Sequence, residues 1–156
     1  MSKRSGLYAA SLCCALAFPH ELRAQELELP ARAADALSGS EFAEVIKDLG
    51  LGARDARIVE EILDGNVPGR LRRLRPVPIE ETGDGTSITI WVVPDYLAVG
   101  SDSDYLLVPM APGTAQRIAD ALEMSLPTPA MVDAIWRAAA IKLEPQAIPP
   151  SPEMTT

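Results

Sequence analysis

Carboxylates are the groups best placed to do chemistry in this chain. Asp95-Tyr96 is followed by Asp102-Ser103-Asp104-Tyr105, so three acids and two phenols fall within a short span. Two carboxylates at i and i+2 in a loop begin an oxygen-ligand shell for a hard cation such as calcium. Carboxylates whose pKa values are pushed apart can also share the acid and base roles in glycan hydrolysis. Asp95, Asp102 and Asp104 are therefore the candidate catalytic groups. The competing reading is a turn, because in Gly100-Ser101-Asp102-Ser103-Asp104 each short polar side chain can accept from a nearby backbone amide. No ring of further oxygen ligands accompanies the Asp-x-Asp pair, and no metal site is assigned.

Arg70, Arg72, Arg73 and Arg75 form the only basic cluster. Guanidinium groups grouped in this way hold a carboxylate, a phosphate or an anionic polymer through paired hydrogen bonds. Arginines also cover helix ends and pair with local acids, here Glu60, Glu61, Glu80 and Glu81. Arg70, Arg72, Arg73, Tyr96 and Tyr105 are the candidate binding residues. Trp91 and Trp136 could stack on a sugar ring, but aromatics make up only 4% of the chain. That is too few for a broad carbohydrate platform, and core positions are expected for both. A serine nucleophile would need Lys47 or Lys142 as its base, and no serine stands three residues before either.

The single histidine, His20, and both cysteines, Cys13 and Cys14, lie in the first 24 residues. Lys3 and Arg4, then an uncharged apolar run from Leu7 to Phe18, then Leu22-Arg23-Ala24 make up the three parts of a secretory signal. The apolar run has about a dozen residues, short of the roughly 20 that a membrane-spanning helix needs. Leu12 before Cys13 argues against a lipid anchor. Residues 1–24 are thus expected to be a removable leader, and the protein is expected to be exported to the periplasm or beyond, with no stable membrane anchor after cleavage. A chain cut after Ala24 has no imidazole and no thiol. Histidine-based triads, cysteine nucleophiles and disulfides are then excluded, and no cofactor is expected. The cut removes three of 14 basic and one of 22 acidic residues, taking the formal charge from −8 to −10. Such a body repels phosphate backbones, so nucleic acid is a poor partner.

The elements that would position these groups follow from periodicity. Ser38 and Glu41 have the spacing of a capping box ahead of Phe42, Val45, Ile46 and Leu49, and Gly50 suits a left-handed stop. A second helix from Ala53 to Asp64, closed by Gly65, would complete a helical hairpin. Gln25 to Leu37 reads as an arm or a frayed helix. Pro76 to Ile79, Ser87 to Val93, Tyr96 to Val99 and Tyr105 to Val108 read as strands, the first two joined at Gly83-Asp84-Gly85. They suggest an antiparallel sheet of three or four strands. Pro112 and Thr114 open a helix that carries Ile118, Ala119, Leu122 and Met124. Thr128-Pro129 opens the last, with Met131, Val132, Ile135, Trp136 and Ala139 as its apolar stripe. The expected architecture is a single α+β domain over residues 25–143, its two C-terminal helices packed on the sheet. Residues 144–156 are Pro-rich and cannot build a core; they read as a disordered tail or the start of a linker.

Several stretches carry a resemblance. Asn66-Val67-Pro68, Leu71-Arg72-Arg73-Leu74, Trp91 to Asp102, Met110-Ala111-Pro112, Thr114 to Asp120 and Leu126-Pro127-Thr128 with Met131-Val132 together resemble a group of exported bacterial proteins with no assigned activity. The resemblance covers about residues 40–156. It implies that longer members continue past this point with histidine-containing segments, so that this chain resembles the front half of a larger protein and lacks a C-terminal half. It assigns no functional residue. The sequence therefore leads to a small acidic exported protein that acts as a non-catalytic binding or scaffold module. The alternative is a hydrolase of envelope or extracellular polymers, truncated or intact, that uses Asp95, Asp102 and Asp104, with or without a cation.

Overall fold

The computed structural model describes residues 25–80, 87–144, 146 and 149. The leader, the Gly83-Asp84-Gly85 turn and most of the tail lie outside the described residues. The architecture is mixed α+β, with five helices and two small antiparallel sheets of two strands each among the described residues.

Helix α1 (Gly39–Ile46) starts on the capping box that the sequence suggests: the Ser38 hydroxyl accepts from the Glu41 amide at 3.3 Å, and Glu41 accepts from the Ser38 amide at 2.8 Å. These two bonds, the Ser38 amide first, hold the Glu41 carboxyl below its ordinary pKa. The helix ends at Ile46, and Gly50 is not a left-handed stop. With φ −63° and ψ 157°, Gly50 is the extended residue before α2 (Leu51–Leu63), which closes at Gly65 with φ +83°. Helices α1 and α2 do not form a self-contained hairpin. Helix α1 lies against the later strands β3 (Ala98–Gly100) and β4 (Tyr105–Leu107), and α2 lies against β3 and α4 (Pro112–Ala121). Phe42, Ile46, Ile58, Val59, Ile62, Val67, Val99, Val108 and Ile118 meet in one cluster. Truncating a fully buried member such as Phe42 to alanine costs about 3–5 kcal/mol.

The single sheet expected of three or four strands is divided. After the short helix α3 (Gly69–Arg72), β1 (Arg75–Glu80) pairs with β2 (Ser87–Val92), and β3 pairs separately with β4. Chemistry explains where β1–β2 stops. Pro76 and Pro78 occupy alternate positions, so one side of β1 lacks two amide donors and cannot take a further strand. On the other side of the ladder Asp95 turns the chain, its carboxylate accepting from the Tyr96 amide at 2.8 Å. Tyr96 therefore sits in a turn instead of opening a strand.

Of the two C-terminal helices, α4 packs mainly on α2, whereas α5 (Pro129–Ala138) rests on a sheet, against β1. The α5 stripe is also turned from its expected direction. Ala134 is its one buried residue, while Val132 and Trp136 are exposed, Trp136 by 62%. The expected core position for Trp136 is not observed; Lys142 Nζ lies 4.8 Å from its ring centroid.

The segment before α1 is an ordered arm. Leu27 is buried, its amide donating to Arg72 O at 2.8 Å, and the Leu74 amide donates to Gln25 O at 2.9 Å. Arg32 holds the far end through Asn66 Oδ1 and the carbonyls of Ala36 and Leu37.

Candidate functional site

Among the described residues, an open apolar groove has a volume of about 790 Å³. Ile118 and Ala119 of α4, with Leu122 just past its end, face it from one side and Ile90 to Val93 from another; Met131 and Ile135 of α5 close a third. The arm, from Gln25 to Glu28, forms the remaining wall, with Leu74 beside it. Three sequence features create this space. The arm is fixed by pairing with residues 72–74. The link between α4 and α5 turns at Glu123, whose φ of +53° is rare outside glycine. Helix α5 then docks through a small residue, Ala134, leaving its larger neighbours free.

The candidate carboxylates go to separate places. Asp95 lines the groove and caps its own turn. Asp102 accepts from the Arg70 amide at 3.1 Å and stands 3.8 Å from the Arg70 guanidinium. Asp104 accepts from both the amide and the hydroxyl of Ser40, at 2.9 and 3.0 Å, and so ties the β3–β4 turn to the first turn of α1. Desolvation pushes the Asp104 pKa up, but the Ser40 bonds and the Ser38 hydroxyl outweigh it and leave it lowered. Hydrogen bonds within the turn support the backbone reading of this loop: the Asp104 amide donates to Ser101 Oγ, and the Ser101 amide to Asp104 O. Among the described residues no three His, Cys, Asp or Glu side chains gather where they could hold a metal ion.

The candidate binding residues also divide. Arg72 is consumed by backbone, donating to the carbonyls of Leu29, Pro30 and Gly65. Arg70 stacks over the Tyr105 ring, 3.9 Å from its centroid, and Arg73 faces Glu26 at 3.9 Å. Arg70, Arg73, Arg75 and Asp102 border a second, smaller cleft of about 440 Å³. Of the acids expected beside these arginines, Glu60 and Glu61 both pair with Arg57 instead, while Glu81 and the Glu80 side chain lie outside the described residues. Tyr96 lines the groove and is 80% exposed.

Sequence reasoning missed three polar features. Asn66, at 2% exposure, accepts from Arg32 Nε and donates to Leu37 O and Glu61 Oε2. Asp55, also buried, accepts from the Thr114 hydroxyl at 2.7 Å and the Ala111 amide at 3.2 Å, joining α2 to the start of α4. The Thr114 bond is the main reason its pKa lies below the ordinary value. Glu26, Glu28 and Glu123 border the groove. No local motif marks any of these residues, since each acquires its role from a segment distant in sequence.

Comparison with family models, curated proteins and solved structures returns no match for the chain.

Proposed function

We propose that this protein is an exported, non-catalytic binding module whose working surface is the apolar groove. One observation carries the reading: a cavity of about 790 Å³, floored by side chains continuous with the core, stands open at the surface. That volume lies in the range of ligand sites, which are mostly apolar with a few polar groups at the edge. A hydrolase would need carboxylates that meet across a substrate. Here Asp102 and Asp104 have partners on different elements, and Asp95 serves its own turn, so the geometry favours binding over hydrolysis.

The test is uptake of a neutral apolar dye, N-phenyl-1-naphthylamine, by the full mature chain. Its fluorescence rises on addition of the protein and stays low with Ala115→Trp, which fills the groove from the half-buried face of α4. Circular dichroism confirms that the variant is folded, and Met131→Glu serves as a second blocking variant. Dye fluorescence unaffected by both folded variants would remove the groove from consideration. Export has its own check: the polypeptide recovered outside the cytoplasm begins near Gln25 by mass spectrometry, whereas an intact Met1 there would refute the leader.

A further inference from the structure

The charges around the groove are all of one sign. Glu26, Glu28, Asp95 and Glu123 line it, and among the described residues no lysine or arginine does. The strand-like segment 73–75 separates the two signs physically. Leu74 lines the groove, while Arg73 and Arg75 on either side of it border the smaller cleft instead. Alternation of side chains along an extended backbone produces this split. The chain thus directs Arg73 and Arg75 to the smaller cleft, Arg73 meeting the rim only at Glu26, 3.9 Å away, and leaves an apolar floor inside an anionic rim.

Resting on the reading of the groove as a binding surface, we propose that its occupant is a cationic amphipathic peptide segment of a partner protein. Apolar side chains of that segment fill the floor, and its lysines or arginines face Glu26, Glu28 and Glu123. An amphipathic helix laid in a groove is a recurrent way to satisfy such a surface. Anionic lipids and fatty acids are disfavoured, because their head groups would meet the carboxylates of Glu28, Asp95 and Glu123 at the rim. The overall negative charge of the protein adds long-range attraction for a basic partner. The rim supplies the specificity: an exposed ion pair changes affinity by a factor of a few, so three together amount to about tenfold.

The experiment uses the mature chain carrying Trp136→Phe, so that Trp91 in the groove reports alone. The probes are three tryptophan-free 16-residue helical peptides with identical leucines and with Lys, Gln or Glu at every polar position. The Lys peptide shifts Trp91 emission and binds at least tenfold tighter than the Gln peptide, an advantage that shrinks as salt is raised; the Glu peptide does not bind. The rim variant Glu26→Gln/Glu28→Gln/Glu123→Gln abolishes the difference between Lys and Gln peptides. The control variant Asp35→Asn/Asp48→Asn/Asp64→Asn, equal in charge but away from the groove lining, preserves it. Equal affinity for all three peptides, or equal weakening in rim and control variants, would overturn the cationic preference. If the neutral dye still binds and is still blocked by Ala115→Trp, only the partner assignment has failed; if the dye fails as well, the groove reading falls with it. Sedimentation showing a dimer that Met131→Glu dissociates would assign the groove to a second copy of the chain and would equally refute the proposal.

Discussion

At position 66 a buried amide makes three side-chain hydrogen bonds, to Arg32, to the Leu37 carbonyl and to Glu61, while its own carbonyl accepts the Gly100 amide. The side chain thus joins the arm to α2, and the backbone carbonyl of the same residue adds β3. Asn66→Ala leaves these partners unmatched and is expected to destabilise the fold by about 3 kcal/mol in denaturant titration, since each lost buried bond costs about 1 kcal/mol or more. Asn66→Asp keeps the acceptor for Arg32 but sets a carboxylate against Glu61. It should be nearly as damaging at pH 7 and recover as the pH is lowered. Asp55 gives the opposite slope. Its folded pKa is depressed below the ordinary 3.8, mainly by the Thr114 hydroxyl. Its contribution is therefore complete above the unfolded-state pKa of about 3.9 and is lost as pH falls through the lower folded value. Asp104 and Glu41 shift in the same direction. Thermal melts of the wild type should fall steeply below about pH 4, and Asp55→Asn should flatten that branch while lowering the plateau.

Among the elements, the first turn of α1 has no room for added bulk. A Cβ on Gly39 would lie 2.3 Å from the backbone carbonyl carbon of Tyr105, and no side-chain rotation can relieve a clash with backbone. Gly39→Ala should cost more than the about 1–3 kcal/mol typical of overpacking, whereas Gly52→Ala, with open space around it, should be neutral or mildly stabilising. Strand β1 offers a test of a different kind. Pro76→Val/Pro78→Val restores two edge donors, and light scattering should then detect self-association that the wild type avoids. What the sequence made readable was local. Ser38 with Glu41, Thr128 with Pro129, and the β-branched run Ser87 to Val92 each encode their element within a few residues. What it hid was non-local. Gly50 fits a helix stop or a helix start equally well until the flanking turns are placed. The apolar stripe on α5 marks amphipathicity but not that Ala134, instead of Trp136, meets β1. The arm has no periodicity because its order comes from residues 72–74. The candidate site was legible in part: Asp95, Tyr96 and Trp91 line the groove, but Glu26, Glu28 and Glu123 had no pattern to single them out.

For the molecule as a whole, an excess of eight negative charges opposes compaction through self-repulsion. Sodium chloride at about 0.5 M should therefore raise the melting temperature at pH 7, because at a Debye length of a few ångström distant repulsion is screened. Constancy of the midpoint across that range would show that the local pairs dominate. Fluorescence separates the two indoles in the same sample: acrylamide should quench the exposed Trp136 far more than the half-buried Trp91, and Trp136→Phe should remove most of the quenchable signal. The wall at Gln25 to Glu28 has a further consequence. Two backbone hydrogen bonds and one wide ion pair join it to residues 72–74. Compared with α2, whose apolar side chains lie in the central cluster, that seam has little to resist thermal opening. In deuterium the Leu27 and Leu74 amides should exchange well before those of Ile58 and Ile62. A guest too bulky for the resting cleft could then enter by peeling back one border strand while the rest of the body stays folded.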